Sequence, residues 1–150
     1  MRTRSVEIYN EFSLQHELGI YLRSELGEGW KAQFERPVGF YGLSRELTVK
    51  REIDICVSGP TAHELYAIEL KYPRNGQYPE QMFSACKDIM FLEQLVQAGF
   101  AGGLFVIAAA DRLFYSGVSG HDIYGLFRGG RPVTKAAAHA EASRPTMAST

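Results

Sequence analysis

Two stretches, Arg51-Glu52-Ile53-Asp54-Ile55-Cys56-Val57 and Leu65-Tyr66-Ala67-Ile68-Glu69-Leu70-Lys71-Tyr72, decide how this chain is read. Each is an apolar run of strand length with an acid in its middle, and the second carries a lysine two residues further on. Asp is among the residues most depleted from strands, and ionised groups are rarely buried without a partner. Desolvating an unpaired carboxylate costs several kcal/mol, so each acid requires a contact that offsets the loss of water. Alternation along a strand puts Ile53, Ile55 and Val57 on one face and Asp54 on the other. In the second run Tyr66, Ile68 and Leu70 share a face, with Glu69 and Lys71 opposite. Ser58-Gly59-Pro60-Thr61 is a turn by composition. In a hairpin whose apolar sets face one core, Asp54 lies opposite Glu69 or Ala67. Asp54, Glu69 and Lys71 then converge on the other face.

Working outward, residues 7–26 have helical periodicity, with Leu14, Leu18, Tyr21, Leu22 and Leu26 forming one stripe and Gly27 placed as a left-handed stop. Residues 30–38 read as a strand, and 46–57 as one long extended segment with Leu47, Val49, Ile53, Ile55 and Val57 as its apolar members. The third strand is 64–72. Pro79 suits the first turn of a helix that ends near Ala98 and Gly99, and this helix is apolar around most of its circumference. Residues 104–109 are continuously apolar, as expected of a strand buried on both faces. Leu113-Phe114-Tyr115 is a short strand or a turn of helix, and 121–127 a short terminal helix. Three strands with short connections predict an antiparallel meander, and the helix before the fourth permits a right-handed crossover to a parallel neighbour. The expected fold class is therefore α/β: a mixed central β-sheet, antiparallel meander plus a parallel crossover strand, flanked by two main α-helices. Residues 1–130 form the expected single domain. Residues 131–150, rich in Ala, Ser, Thr and Pro, read as a flexible tail or a linker to a fused or partner domain.

The bulk properties permit this. A chain of 150 residues, 45% hydrophobic, has the size and composition of one ordinary domain that buries roughly 70% of its extended-chain surface. A formal net charge of −1 excludes a non-specific basic coat for nucleic acid, but not an enzyme with its cations in one groove. Cys56 and Cys86 lack zinc-site spacing and are expected as buried reduced thiols. The N-terminus has no apolar signal-peptide core, and no run is long enough to span a bilayer, so no membrane partner is expected and the cytoplasm is the expected location.

Two carboxylates with a backbone carbonyl and waters are the donor set Mg²⁺ prefers. A bound divalent ion polarises a phosphate and lowers the pKa of a bound water, while an adjacent ammonium stabilises charge growing on phosphorus. Between two carboxylates Lys71 is expected to stay charged, as a stabiliser and not as a free base.

The arrangement resembles the PD-(D/E)xK phosphodiesterase superfamily, with its restriction-endonuclease-like fold. Asp54 matches its first acid, Glu69 its second and Lys71 its lysine, and the helix-strand-strand-strand-helix-strand order covers about 7–110. Ile53 stands where the name-giving proline would be. The resemblance implies a nuclease that hydrolyses phosphodiester bonds in DNA, or in RNA as the weaker alternative. Mg²⁺ or Mn²⁺ would be held by Asp54, Glu69 and the carbonyl of Leu70, and Lys71 would orient water or stabilise the transition state. Members often add an acid from the first helix. Glu11 and Gln15 lie where they reach the sheet, and Glu17, at the stripe's edge, is the second choice. In the loop after Lys71, Arg74 and Gln77 are candidates for phosphate contacts. Gln81 is a candidate support for the metal's water, and Lys50 and Arg51 can approach the backbone. His16, His63 and His121 form no cage. A homodimer is compatible, since cutting both strands of a duplex needs two sites.

Two other readings stay open. One is a catalytically inactive member of the same fold that binds nucleic acid or protein, in which the three residues form a structural ion cluster. The other is a small interaction domain whose tail joins it to an effector.

Overall fold

The computed structural model describes residues 5–74, 76–120, 122–129 and 143. The readings of His121 and of the 131–150 tail fall outside the described residues, apart from position 143. Element order is α1 (Glu11–Glu25), β1 (Lys31–Pro37), a 3₁₀ turn (Val38–Tyr41), β2 (Glu52–Ser58), β3 (Leu65–Lys71), α2 (Tyr78–Gln97), β4 (Gly102–Ile107), α3 (Arg112–Tyr115) and α4 (Ile123–Arg128). The strands form one sheet in the order β1-β2-β3-β4. The first three are antiparallel and β3 and β4 are parallel, so the mixed sheet and its two main helices are as the sequence leads one to expect.

Asn10 caps α1: its side chain accepts from Ser13 N at 2.7 Å, and Ser13 Oγ accepts from Asn10 N at 3.1 Å. This reciprocal box satisfies two otherwise orphaned amides and starts the helix four residues later than the periodicity indicates. Leu14, Leu18, Leu22 and Leu26 pack on Ile55, Val57, Ile68 and Leu70, whereas Tyr21, at the stripe's edge, is exposed. Gly27 is not left-handed. The helix ends at Leu26 in extended backbone, and Gly29 takes the positive φ of 83°. On the other face, α2 lays Phe91, Leu92 and Leu95 on Val38, Cys56 and Ala67, and it ends at Ala98 with Gly99 at φ 116°.

Two departures bear on the acid-bearing strands and on the sheet's edge. The long extended segment over 46–57 is regular only from Glu52. Residues 43–51 form a loop, with Leu47 and Val49 exposed and Val49 N donating to Gln94 Oε1 of α2 at 2.8 Å. Lys50 is thereby turned inward. The fourth strand, expected to be buried on both faces, is instead a sheet edge with Leu104 55% exposed.

Candidate metal and catalytic centre

The β2–β3 register runs Ile55↔Ile68 to Ser58↔Leu65, and one further step puts Asp54 opposite Glu69. There the backbone ladder gives way to side chains. Asp54 N donates to Glu69 Oε1 at 3.2 Å, and Leu70 N donates to Asp54 Oδ2 at 2.7 Å. Each acid satisfies an amide that its neighbour strand has stopped serving, which is how carboxylates come to stand in mid-strand positions. The alternation also breaks here. Ile55 and Val57 pack toward α1, but Ile53 joins the α2 cluster, so the shared face expected for all three fails at the residue beside Asp54.

Glu69 is fully buried and Asp88, from the middle of α2, is 2% exposed. Lys50 joins them. Its Nζ lies 3.0 Å from Asp88 Oδ1 and 3.9 Å from Asp54 Oδ1, and it bonds directly to Glu69 Oε2. Lys71 Nζ contacts Asp88 Oδ2 at 2.8 Å and donates to Ser84 Oγ at 3.0 Å. The Oδ2 contact lies off the hydrogen-bond direction, so it is an ion pair only. The ammonium expected between Asp54 and Glu69 is therefore supplied by Lys50 and not by Lys71. Lys71 keeps to the same side of the sheet but is drawn to Asp88, which sequence reasoning missed. Its signal was available: Asp88 is an acid in an apolar run, Cys86-Lys87-Asp88-Ile89-Met90-Phe91, as Asp54 and Glu69 are in theirs.

Electrostatically the cluster holds three carboxylates and two ammoniums. Burial first, then the charge of Asp54, pushes the Glu69 carboxyl up to about 8, against the pull of Lys50. Burial likewise raises Asp54, opposed by Lys50 and by the Leu70 amide. For Lys50 burial alone would lower the pKa, but the charges of Glu69 and Asp88 outweigh it and hold the ammonium above its ordinary range. Nearby Cys56 is a free, buried thiol, which burial pushes up to about 11.

On the α1 side a cavity of about 240 Å³ is lined by Glu11, Phe12, Gln15, Glu35, Asp54 and Leu70. Gln15 Nε2 donates to the Asp54 carbonyl at 2.8 Å and to Glu35 Oε1 at 2.7 Å. Glu11 Oε2 accepts from Tyr72 N at 3.2 Å. Both α1 candidates thus reach the end of the β2–β3 pair, whereas Glu17 lines a different cleft with Glu7 and Tyr21. Glu35, which sequence reasoning did not single out, is the one non-glycine residue at positive φ among the described residues, at 49°. Larger clefts, about 770 Å³ beside Glu17 and about 530 Å³ between Arg23, Trp30 and Arg36, contain neither Asp54 nor Glu69. Size does not pick the site; the buried acids do. Arg74 and Gln77 are exposed and Gln81 is half-buried. Among the described residues none of the three bonds to Asp54, Glu69 or Lys71. Arg51, His16 and His63 are exposed.

Among the described residues no trio of His, Cys, Asp and Glu is arranged to hold a metal ion by itself. The donor chemistry nonetheless fits one cation. Asp54 and Glu69 oxygens already face the single positive charge of Lys50, and a divalent ion taking its place would need the Leu70 carbonyl or water to complete its shell. The chain matches no protein-family model, no curated protein and no solved structure. No described helix is long and apolar enough to cross a membrane.

Proposed function

We propose that this chain is a metal-dependent nuclease that hydrolyses phosphodiester bonds in nucleic acid, DNA before RNA, on a restriction-endonuclease-like fold. The observation that carries the reading is the parting of β2 and β3 at Asp54 and Glu69, whose carboxylates each take one backbone amide of the opposite strand and turn their other oxygen to one shared cation. Keeping such acids out of water is costly unless a cation offsets it, and a binding site explains why the cost is borne in mid-sheet. Asp54, Glu69 and the Leu70 carbonyl would hold Mg²⁺ or Mn²⁺, with Lys50 withdrawn toward its exposed loop. A divalent ion so held supplies Lewis acidity toward a phosphate and an activated water. Gln15 steadies the Asp54 backbone and Glu11 braces the Tyr72 amide, so α1 fixes the ends of both acid-bearing strands. Lys71, seated on Asp88, is placed to stabilise negative charge growing on the phosphorane. Arg74 and Gln77 extend the exposed loop beyond it as phosphate contacts, and Gln81 opens α2 toward the metal's water.

Calorimetric titration with MgCl₂ and MnCl₂, followed by incubation with plasmid and oligonucleotides, tests this. Binding and cleavage should both vanish in Asp54→Ala and Glu69→Ala variants that retain native circular dichroism. Intact substrate and no binding heat with either ion would end the proposal.

A second reading, an inactive member of the same fold serving as a nucleic-acid or protein-binding module, is favoured by Lys50. Its ammonium already pairs with both acids, and a closed ion cluster of this kind needs no metal. The same titration separates the two readings.

A further inference from the structure

We propose that the outer edge of β4 pairs with the same strand of a second copy, giving a two-fold dimer with one continuous eight-stranded sheet. The inference stands on the sheet's edges and does not depend on the proposed activity.

The two edges are built in opposite ways. β1 reads Lys31-Ala32-Gln33-Phe34-Glu35-Arg36-Pro37. It carries three charged groups besides Glu35's positive φ of 49°, ends in proline, and lies along α1 through Phe34. Charge, proline and a local distortion are the devices by which proteins block unwanted strand addition. β4 reads Gly102-Gly103-Leu104-Phe105-Val106-Ile107 and has none of them. Residues 102–110 contain no charged or polar side chain at all. β4 closes the strand order. Ala108 N donates to Lys71 O in β3, so by alternation the amides of Phe105 and Ile107 point away from the sheet. Among the described residues nothing covers this uncharged, extended edge, and such an edge is a pairing template.

Three features point to a second copy as the occupant. Antiparallel pairing of a strand with itself is isologous and consumes the edge once. The blunted β1 denies the open-ended β4-to-β1 alternative, so association stops at two. With no charge from 102 to 110, identical edges meet without repulsion and without any polar group that would call for a different partner. Finally, the apolar surface continues past the strand. Leu104 is 55% exposed on the α1 side, and on the α2 side Phe105, Ile107, Ala109, Phe114 and Tyr115 border an open cavity of about 500 Å³. A stable interface buries about 800 Å² per partner, more than six strand residues supply, so the dimer would draw on this flanking apolar surface as well.

Sedimentation equilibrium of the full chain from about 1 to 100 μM tests the inference. The wild type should weigh twice 16.8 kDa. Leu104→Lys puts a charge on the exposed edge and should weaken association at least about 100-fold with unchanged circular dichroism. Ile20→Lys, at an exposed apolar position on α1, should leave the dimer intact. Amide exchange supplies a readout free of mutation: Phe105 and Ile107 amides should be protected at high concentration and exposed on dilution. A wild-type monomer at 100 μM would overturn the proposal, as would larger open-ended assemblies or a dimer that survives Leu104→Lys. Protection independent of concentration would mean that the chain's own residues cover the edge, and would overturn it too.

Discussion

The two ends of the β2–β3 hairpin share one register and do different work. From Ser58↔Leu65 to Ile55↔Ile68 the strands are joined by backbone hydrogen bonds, and their side chains split between the α1 and α2 cores. One step beyond, at Asp54 and Glu69, carboxylates replace the ladder and gather Lys50, Asp88 and Lys71 around them. The closed end contributes ordinary burial. The open end stores charge in a poorly solvated place, where a change of one partner is felt by all the others.

That contrast can be broken most severely at the acids themselves. Asp54→Asn and Glu69→Gln keep shape while removing charge, and cleavage of plasmid DNA should fall by about 10³-fold or more, since the divalent ion loses a donor and the site its charge. The next effect is on stability. Lys71→Met leaves Asp88, 2% exposed, with one ammonium instead of two. Urea unfolding should show a loss of about 3 kcal/mol, and a loss under 1 kcal/mol would mean that Lys50 alone suffices.

The pH dependence of the open end comes next. Glu69, raised to about 8 from an ordinary 4.5, binds its proton more tightly folded than unfolded. Its contribution to stability is therefore complete below pH 4.5 and is lost as pH rises through 8 in the metal-free protein, at up to about 1.4 kcal/mol per pH unit. Urea midpoints at pH 6 and 9 should accordingly diverge more for the wild type than for Glu69→Gln, which cannot titrate. Equal divergence would show that Glu69 is not the group responsible.

The smallest expected change sharpens the choice between enzyme and inert cluster. Lys50 is the one cluster member with substantial exposure, 31% of its side chain, and Lys50→Met removes the ammonium that faces both Asp54 and Glu69. If Lys50 holds the place of a divalent ion, the variant should bind Mn²⁺ about 3- to 10-fold more tightly by calorimetry. Unchanged or abolished binding would argue for the inert cluster.

Much of this was legible in residue order. The meander, the crossover strand and the two helices follow from period-2 and period-3.6 patterns, which record burial directly, while the parity left Asp54 opposite either Glu69 or Ala67. Gln15 and Glu11, four residues apart on α1, reach the Asp54 carbonyl and the Tyr72 amide at the strand ends. The illegible parts are those in which residues far apart compete for the same partner. Nothing near Lys71 in the sequence announces that Asp88, seventeen positions on, would draw its ammonium away from Asp54 and Glu69. Nothing in the extended-looking run over 46–50 announces that Gln94 would bend it and deliver Lys50. The positive φ of Glu35 also has no local signature, since neither glycine nor asparagine marks it.

The sequence alone determined which side chains must leave water and which acids are too costly to bury unaided, because hydrophobic period and desolvation are properties of each segment. Tertiary structure decided which cation answers each acid and which sheet edge is left open. Ion pairing falls off over a few ångströms and is settled by where α2 and the 43–51 loop come to rest, a matter of packing between segments that no single one of them encodes.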